Sequence, residues 1–350
     1  LANEPKLMRI NGHGHLLPYP NQIPKFMKDK GIFWLENNQM CQGNWRRPVT
    51  DPSFFLDKKL EWMASNHIDK EVILNLSQLY CNGYSRNDAH DVIRFQNDYN
   101  ASIQHDYPEK FISGFVVQPL YIDDALSEIR RCAVDLKLPL LCLPTHFLNK
   151  ENKWTSIADE SVTPIFELAN ELNLAVEIHP YNAEEIIQLE DRFWRFHLVW
   201  MCAQTADTWH FFSLLDFPNR FPNVRTCFAH GNQFGQMGLG RRIQGFKGRP
   251  DLFKGARNPE DTFTNVYFDT LVHDVLSFEL MVKRSGVSQI VAGLDDPYPL
   301  GEMESVEGSY PGKVIDEAVK TNIISDNDRN LIWNTNVLEW LYGNQSETLK

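Results

Sequence analysis

No stretch of the 350-residue chain approaches the roughly 20 consecutive apolar residues that a bilayer-spanning helix requires. The first ten residues, LANEPKLMRI, show neither the apolar stretch nor the cleavage pattern of a secretory signal. Cysteine is sparse: Cys41, Cys81, Cys132, Cys142, Cys202 and Cys227 are scattered without a C-x-x-C pair, and a chain of this size does not need stapling. Reduced thiols and a cytoplasmic location are therefore expected. Positive charge is also short. Lys and Arg number 34 against 46 Asp and Glu, a net charge of −12, which argues against nucleic acid as the main partner because phosphate neutralisation needs clustered cations. No G-x-G-x-x-G follows the first apolar run, so the commonest dinucleotide-binding signature is missing. Low-complexity tracts and interdomain linkers are missing too.

What the chain does have is rhythm. Eight short apolar runs recur: LMRIN (7–11), EVILNL (71–76), FISGFVV (111–117), LPLLCL (138–143), LAVEI (174–178), VRTCFA (224–229), VYFDT (266–270) and QIVAGL (289–294). Between them lie longer segments with apolar positions three and four apart, such as FFLDKKLEWMASNH, IDDALSEIRRCAVDL and SVTPIFELANELN. Strands apolar on both faces that alternate with helices build a parallel sheet covered by helices. Eight such units predict an α/β fold, a (β/α)8 TIM barrel, with residues 1–350 as a single domain. A doubly wound open sheet is the alternative. The connection at about 18–53 is too long for a plain βα loop and is expected to cap the site. The segment DRNLIWNTNVLEWLYG reads as a final amphipathic helix.

In such a barrel the functional side chains sit at the C-terminal ends of the strands. His13 and His15 follow the first run in NGHGHLLP, and His179 follows the fifth in EIHP. His230 follows the sixth in FAHGN, and Asp295 the eighth in AGLDDPYPLGE. Four histidines and a carboxylate on one rim match a divalent ion such as Zn2+, which takes imidazole nitrogen and carboxylate oxygen. In HGH the one-residue gap puts both imidazoles on one face of an extended segment. Any one of these histidines alone reads more readily as a hydrogen-bonded core or loop residue; five such groups at strand ends do not. His146, in LPTHF after the fourth run, is a sixth candidate, expected to support the ligands from behind or to face the substrate because five ligands already fill one site. No lysine ends the fourth run, where a carboxylated side chain could bridge two metals, so one ion per chain is expected.

These motifs resemble the amidohydrolase superfamily, and within it the decarboxylases that act on aminocarboxymuconate semialdehyde. The resemblance runs along nearly the whole chain and rests on HGHLLP, WRRPVTDP, LCLPTH, EIHP, FPNVRTCFAHG, GFKGRPDL, FDTLVHD and DDPYPLGE. It implies that His13, His15, His179 and Asp295 hold the metal, usually zinc, while His230 stands beside the metal's water as acid/base. It implies that Arg249, in GRPDL, reaches across a homodimer interface to a substrate carboxylate. Arg46 or Arg47 of the capping segment would be a second such arginine, with Tyr298 at the same pocket; a guanidinium meets a carboxylate through two parallel hydrogen bonds. The chain also departs from the pattern. Asn11 stands where an aspartate usually begins D-x-H-x-H, HGNQ replaces HGGG, Leu294 replaces a polar residue and Trp200 a glycine. Together these changes are expected to crowd and depolarise the pocket.

The activity so implied is a metal-dependent, non-oxidative decarboxylation of an unsaturated (di)carboxylic acid. Its first substrate would be 2-amino-3-carboxymuconate 6-semialdehyde, converted to 2-aminomuconate 6-semialdehyde and CO2 in tryptophan catabolism. Metal-bound hydroxide would add to a conjugated double bond, His230 would return a proton to the adjacent carbon, and loss of CO2 with water would restore conjugation. The ordinary imidazole pKa of about 6.5 suits that proton traffic. The same barrel also serves lactonase-like hydrolases and hydratases. A barrel that binds a ligand without turnover is a third reading, which the complete set of metal donors argues against.

Overall fold

Strand β1 (Ile10–Gly14) reads INGHG, and all five residues are buried. The strand lies three residues later than the apolar run 7–11, because Leu7 and Met8 remain exposed while the polar residues enter the barrel. Seven further strands follow in chain order: β2 (Lys70–Ile73), β3 (Phe111–Val116), β4 (Leu140–Pro144), β5 (Ala175–His179), β6 (Arg225–Phe228), β7 (Val266–Asp269) and β8 (Ile290–Val291). The computed structural model describes residues 7–180 and 190–343; the ends of the expected single domain and residues 181–189 lie outside them.

All eight strands run parallel, each paired with its neighbours in sequence. The chain beyond β8 then returns to β1. The Gly12 amide donates to the Ala292 carbonyl (2.7 Å), the Asp295 amide to the His13 carbonyl (2.7 Å) and the His15 amide to the Asp296 carbonyl (3.0 Å). Residues Gly14 and Asp296 form a parallel bridge there. The sheet is therefore a nearly closed (β/α)8 barrel, as its alternating pattern predicts. Closeness at this seam needs glycine: a Cβ at Gly12 would lie 2.7 Å from the Ala292 carbonyl oxygen.

Helices follow the strands. They include α1 (Leu56–Ser65), α2 (Arg86–Asp106), α3 (Ile122–Arg130), α4 (Thr163–Glu171), α5 (Met201–Leu214), α6 (Leu239–Gly248), α7 (Val275–Ser285) and α8 (Lys313–Lys320). All of these except α6 bury apolar side chains against the barrel. Residues 18–53 form a separate layer of short pieces. Their centre is an antiparallel sheet of Trp34–Glu36, Gln39–Gln42 and Trp45–Pro48. Met27, Phe33, Met40 and Phe54 tie it to Leu76, Leu79 and Tyr298 in one apolar cluster over the barrel mouth. A hairpin of His146–Leu148 and Trp154–Ser156 follows β4, in a stretch with no readable strand signal.

The opposite end of the barrel is plugged. Helix α9 (Asn336–Tyr342) is the final helix read from the sequence, and its Val337, Trp340 and Leu341 pack into the cluster formed by Ile10, Val72, Leu140 and Val291. The Trp340 indole donates to the Val176 carbonyl (3.3 Å). Arg225 of β6 donates to the carbonyls of Trp340 (2.7 Å) and Leu341 (3.1 Å), satisfying acceptors that a helix C-terminus leaves open and setting a cation at the negative end of its dipole. Removing the plug's largest side chain leaves a cavity that rigid strands cannot fill. Trp340→Ala is expected to lower unfolding free energy by about 3–5 kcal/mol, read from urea denaturation, while the chain still folds.

Candidate metal centre

At the mouth of the barrel four imidazoles and a carboxylate face one another. The ring centroids of His13 lie 5.2 Å from His15, 5.4 Å from His179 and 5.6 Å from His230. Donor atoms of His13, His15 and Asp295 lie within 4.8 Å of one another, as do those of His13, His179 and His230. All five residues come from the C-terminal ends of β1, β5, β6 and β8, where the sequence placed them.

The outer nitrogen of three rings is already committed. His13 Nδ1 donates to Asp269 Oδ2 (2.8 Å), His15 Nδ1 to the Leu74 carbonyl (3.1 Å) and His179 Nδ1 to the Pro180 carbonyl (2.7 Å). Each of these acceptors fixes the proton on Nδ1, so a neutral ring turns its Nε2 lone pair toward the centre. There His15 Nε2 meets Asp295 Oδ1 at 2.9 Å, and His13 Nε2 approaches the same oxygen to 3.3 Å. Among the described residues, buried His13 Nε2 has no hydrogen-bond partner. Lone pairs converging on a carboxylate need a cation between them, so the donor set fits a divalent ion.

The electrostatics separate the three rings. Burial pushes His15 down, and burial with the nearby His230 pushes His179 well down. Burial also disfavours charge on His13, but Asp295 and Asp269 outweigh it and hold that ring well up. Burial would raise the Asp295 carboxyl, yet the charge of the nearby His13 and the contact with His15 hold it well below the carboxylate range. Two of the groups sit on strained backbone. Asp295 has φ of 51°, and His230 (φ 55°) is followed by Gly231 (φ 60°) and Asn232 (φ 47°) in one left-handed turn. Asp269 braces that turn, since its Oδ1 accepts from the amides of Gly231 and Leu271 (3.1 Å each).

A cavity of about 130 Å³ opens over the centre. His15, His179, His230 and Asp295 form its floor, with Arg47 and Tyr298 on the capping side. The Arg47 guanidinium lies over the Tyr298 ring at 4.7 Å. Arg46 points elsewhere, over Trp34 at 4.9 Å, with its guanidinium on the Gly43 and Trp45 carbonyls. His146 does not line the cavity either; its Nε2 pairs with Asp207 at 2.8 Å. Arg249 is exposed at the surface and forks onto Asp251 (2.8 and 2.9 Å). Leu294 is fully buried in the core between sheet and helices, and Trp200 is off the cavity wall, so neither crowds the pocket as expected. Of the HGNQ residues, Gln233 lines the cavity and Asn232 is buried beneath it.

Other wall residues carried no clear signal in the sequence. His197 lies beside Arg47, and burial together with that charge pushes its pKa down to about 4. His273, within FDTLVHD, and Gln78 complete the polar wall, while Leu76, Met201 and Leu271 supply apolar surface. Asp269 had a readable signal: it is the carboxylate that ends strand β7, within the seventh apolar run.

The profile described as "Amidohydrolase" matches residues 10–331. A protein of Dictyostelium discoideum named 2-amino-3-carboxymuconate-6-semialdehyde decarboxylase is 27% identical over 339 residues, 91% of this chain and 90% of that one. The crystal structure of 5-carboxyvanillate decarboxylase from Sphingomonas paucimobilis superposes with a TM-score of 0.72 at 17% identity, covering 96% of this chain and 99% of that one. A 5-carboxyvanillate decarboxylase from Novosphingobium aromaticivorans, solved with bound manganese and 3-methoxy-4-hydroxy-5-nitrobenzoic acid, superposes at 0.74 with 15% identity, covering 96% and 97%.

Asp269 reaches the centre only through His13 and the His230 turn. Asp269→Asn is expected to weaken binding of a divalent ion by about 10- to 100-fold with little change in fold, measured by competition with a chromophoric chelator.

Proposed function

The chain belongs to the amidohydrolase family, and on that footing we propose that it is a metal-dependent, non-oxidative decarboxylase of an unsaturated or aromatic carboxylic acid. The observation that carries this reading is the cluster of His13, His15, His179, His230 and Asp295 donor atoms under a cavity walled by Arg47. The full-length similarity to a protein named for decarboxylating 2-amino-3-carboxymuconate 6-semialdehyde makes that compound the first substrate to test.

His13, His15, His179 and Asp295 would hold one ion. We take zinc as the resident metal because three imidazoles and one carboxylate suit it, with manganese, seen in the Novosphingobium aromaticivorans structure, as the alternative. When bound, such an ion supplies Lewis acidity and lowers the pKa of water towards about 7. His230 Nε2 lies 3.8 Å from Asp295 Oδ2 and opens to the cavity, where it would hold a proton and pass it to a substrate carbon. Arg47 is placed to fork onto a substrate carboxylate, and its stacking on Tyr298 holds the guanidinium plane over the pocket. Leu76, Met201 and Leu271 would shield the conjugated part of the substrate from water.

Arg249 does not line this chain's own cavity, which fits the reading that it serves a neighbour in a homodimer. The same stretch exposes Met237 (75%) and Leu252 (67%), apolar side chains of the kind that pair in such interfaces. The six cysteines are free, in keeping with a reducing, cytoplasmic setting.

Metal analysis with a CO2-release screen tests the function. The protein should contain about one ion per chain and release CO2 from aminocarboxymuconate semialdehyde or a related acid; lactone hydrolysis without CO2 release would move the reading to a hydrolase. His230→Ala should abolish turnover and keep the metal, whereas His179→Ala should lose it. Equal metal loss in both would make His230 a ligand. Arg249→Ala mixed with His230→Ala should regain part of the activity if sites are shared, and no regain would remove the shared site.

A further inference from the structure

Beneath the metal donors the barrel encloses a polar cluster that does not line the cavity. Lys59 of α1 is fully buried, and its ammonium donates to Glu71 Oε1 of β2 (2.8 Å) and to Asp296 Oδ2. Asn11 of β1 completes the cluster. Its Nδ2 donates to Asp296 Oδ1 (2.6 Å) and Glu71 Oε2 (3.3 Å), and its Oδ1 accepts from the amides of His13 (3.1 Å) and Leu294 (3.0 Å). A lysine stays charged in a core only when it is paired and fully hydrogen-bonded, so these four side chains stand or fall together. They are fastened to the ligands at three points: the His13 amide, the amide preceding Asp295, and the Asp296 carbonyl, which accepts from the His15 amide at 3.0 Å. A Cβ at Gly14 would collide with the Glu71 carboxylate, so the glycine between the two ligands makes room for the cluster.

We propose that the Asn11–Lys59–Glu71–Asp296 cluster is a positioning device that locks the β1 and β8 backbones carrying His13, His15 and Asp295, and that residue 11 must be an amide for it to work. The role rests on the metal-site reading above. Asn11 acts at both ends, donating to two carboxylates and accepting from two peptides. Aspartate keeps the acceptor but loses the donor, and it sets a third carboxylate around one ammonium. Exchanging the two groups restores the charge count and the donor across the 2.6 Å contact, because the amide placed at position 296 would then donate to the carboxylate placed at position 11; only the longer contact to Glu71 (3.3 Å) stays without its donor.

The test compares wild type, N11D, D296N and the exchange N11D/D296N. Affinities for Zn2+ and Mn2+ are measured by chelator competition, and thermal unfolding is followed on the metal-free proteins. N11D is expected to weaken metal binding by about 10- to 100-fold, the range seen when groups that orient ligands are lost. The exchange is expected to recover most of that loss and to exceed either single variant. N11D with wild-type affinity, even at a lowered unfolding temperature, would make the cluster merely structural and overturn the role. An exchange no better than N11D would overturn it as well. If N11D is insoluble, a soluble exchange variant with near wild-type affinity supports the role, and an insoluble or weakly binding one removes it. A wild type that binds neither ion fails the metal reading, whereas a binding wild type with unaffected variants fails this one alone.

Discussion

Three imidazole lone pairs and one carboxylate aimed at a common point repel one another unless a positive charge lies between them. That constraint organises the mouth of this barrel. His15, His179 and His13 each give their outer nitrogen to a fixed acceptor, so none can turn away to relieve the crowding. The surrounding structure has to hold them there, and it does so with hydrogen bonds that come from different strands. Asp269 ties β7 to β1 and to the His230 turn, while Asn11 ties β1 to β2 and to the chain after β8.

The cost of such an arrangement is visible in the backbone. Asp295 and His230 occupy left-handed conformations that ordinary side chains rarely adopt, each costing on the order of 1–3 kcal/mol. A strand made of INGHG contributes a single apolar side chain, Ile10, where FISGFV and LLCLP are apolar through most of their length. The barrel offsets these losses away from the mouth, with the apolar plug of α9 at one end and the broad core between sheet and helices around the wall. Stability is built where no chemistry is done, and the strained groups are over-determined by their ties rather than by packing.

The fold was largely legible because seven of the eight strands follow apolar runs that the helix-period segments set off clearly. β1 was legible only in part, since its residues are chosen for the metal mouth and the apolar run before it stays outside. The donors were readable because strand ends are a fixed address: His13, His15, His179, His230 and Asp295 each occupy one. Arg47 and Arg46 could not be told apart in sequence, because adjacent residues of a strand face opposite ways and only the register with Gln39–Gln42 settles which one turns to Tyr298. His146 ends a strand like the others, yet the following hairpin carries it to Asp207. His197 lies on a helical turn between Phe196 and Trp200, where nothing in a local pattern marks a cavity wall. Asn11 read as a missing carboxylate at the site. In the structure its Nδ2 donates to Glu71 and Asp296, and its Oδ1 meets the donor set through the backbone amide of His13.

The plug at the base of the barrel also sets the traffic through the molecule. With Trp340 and Leu341 sealing the far end and Arg225 latched over them, the vessel is blind. Among the described residues the plugged base offers no second way out, so a ligand admitted past Arg47 and Tyr298 would leave by the same doorway. On the proposed reading, the layer whose Arg47 would hold an incoming acid would also be the threshold its products cross on the way out.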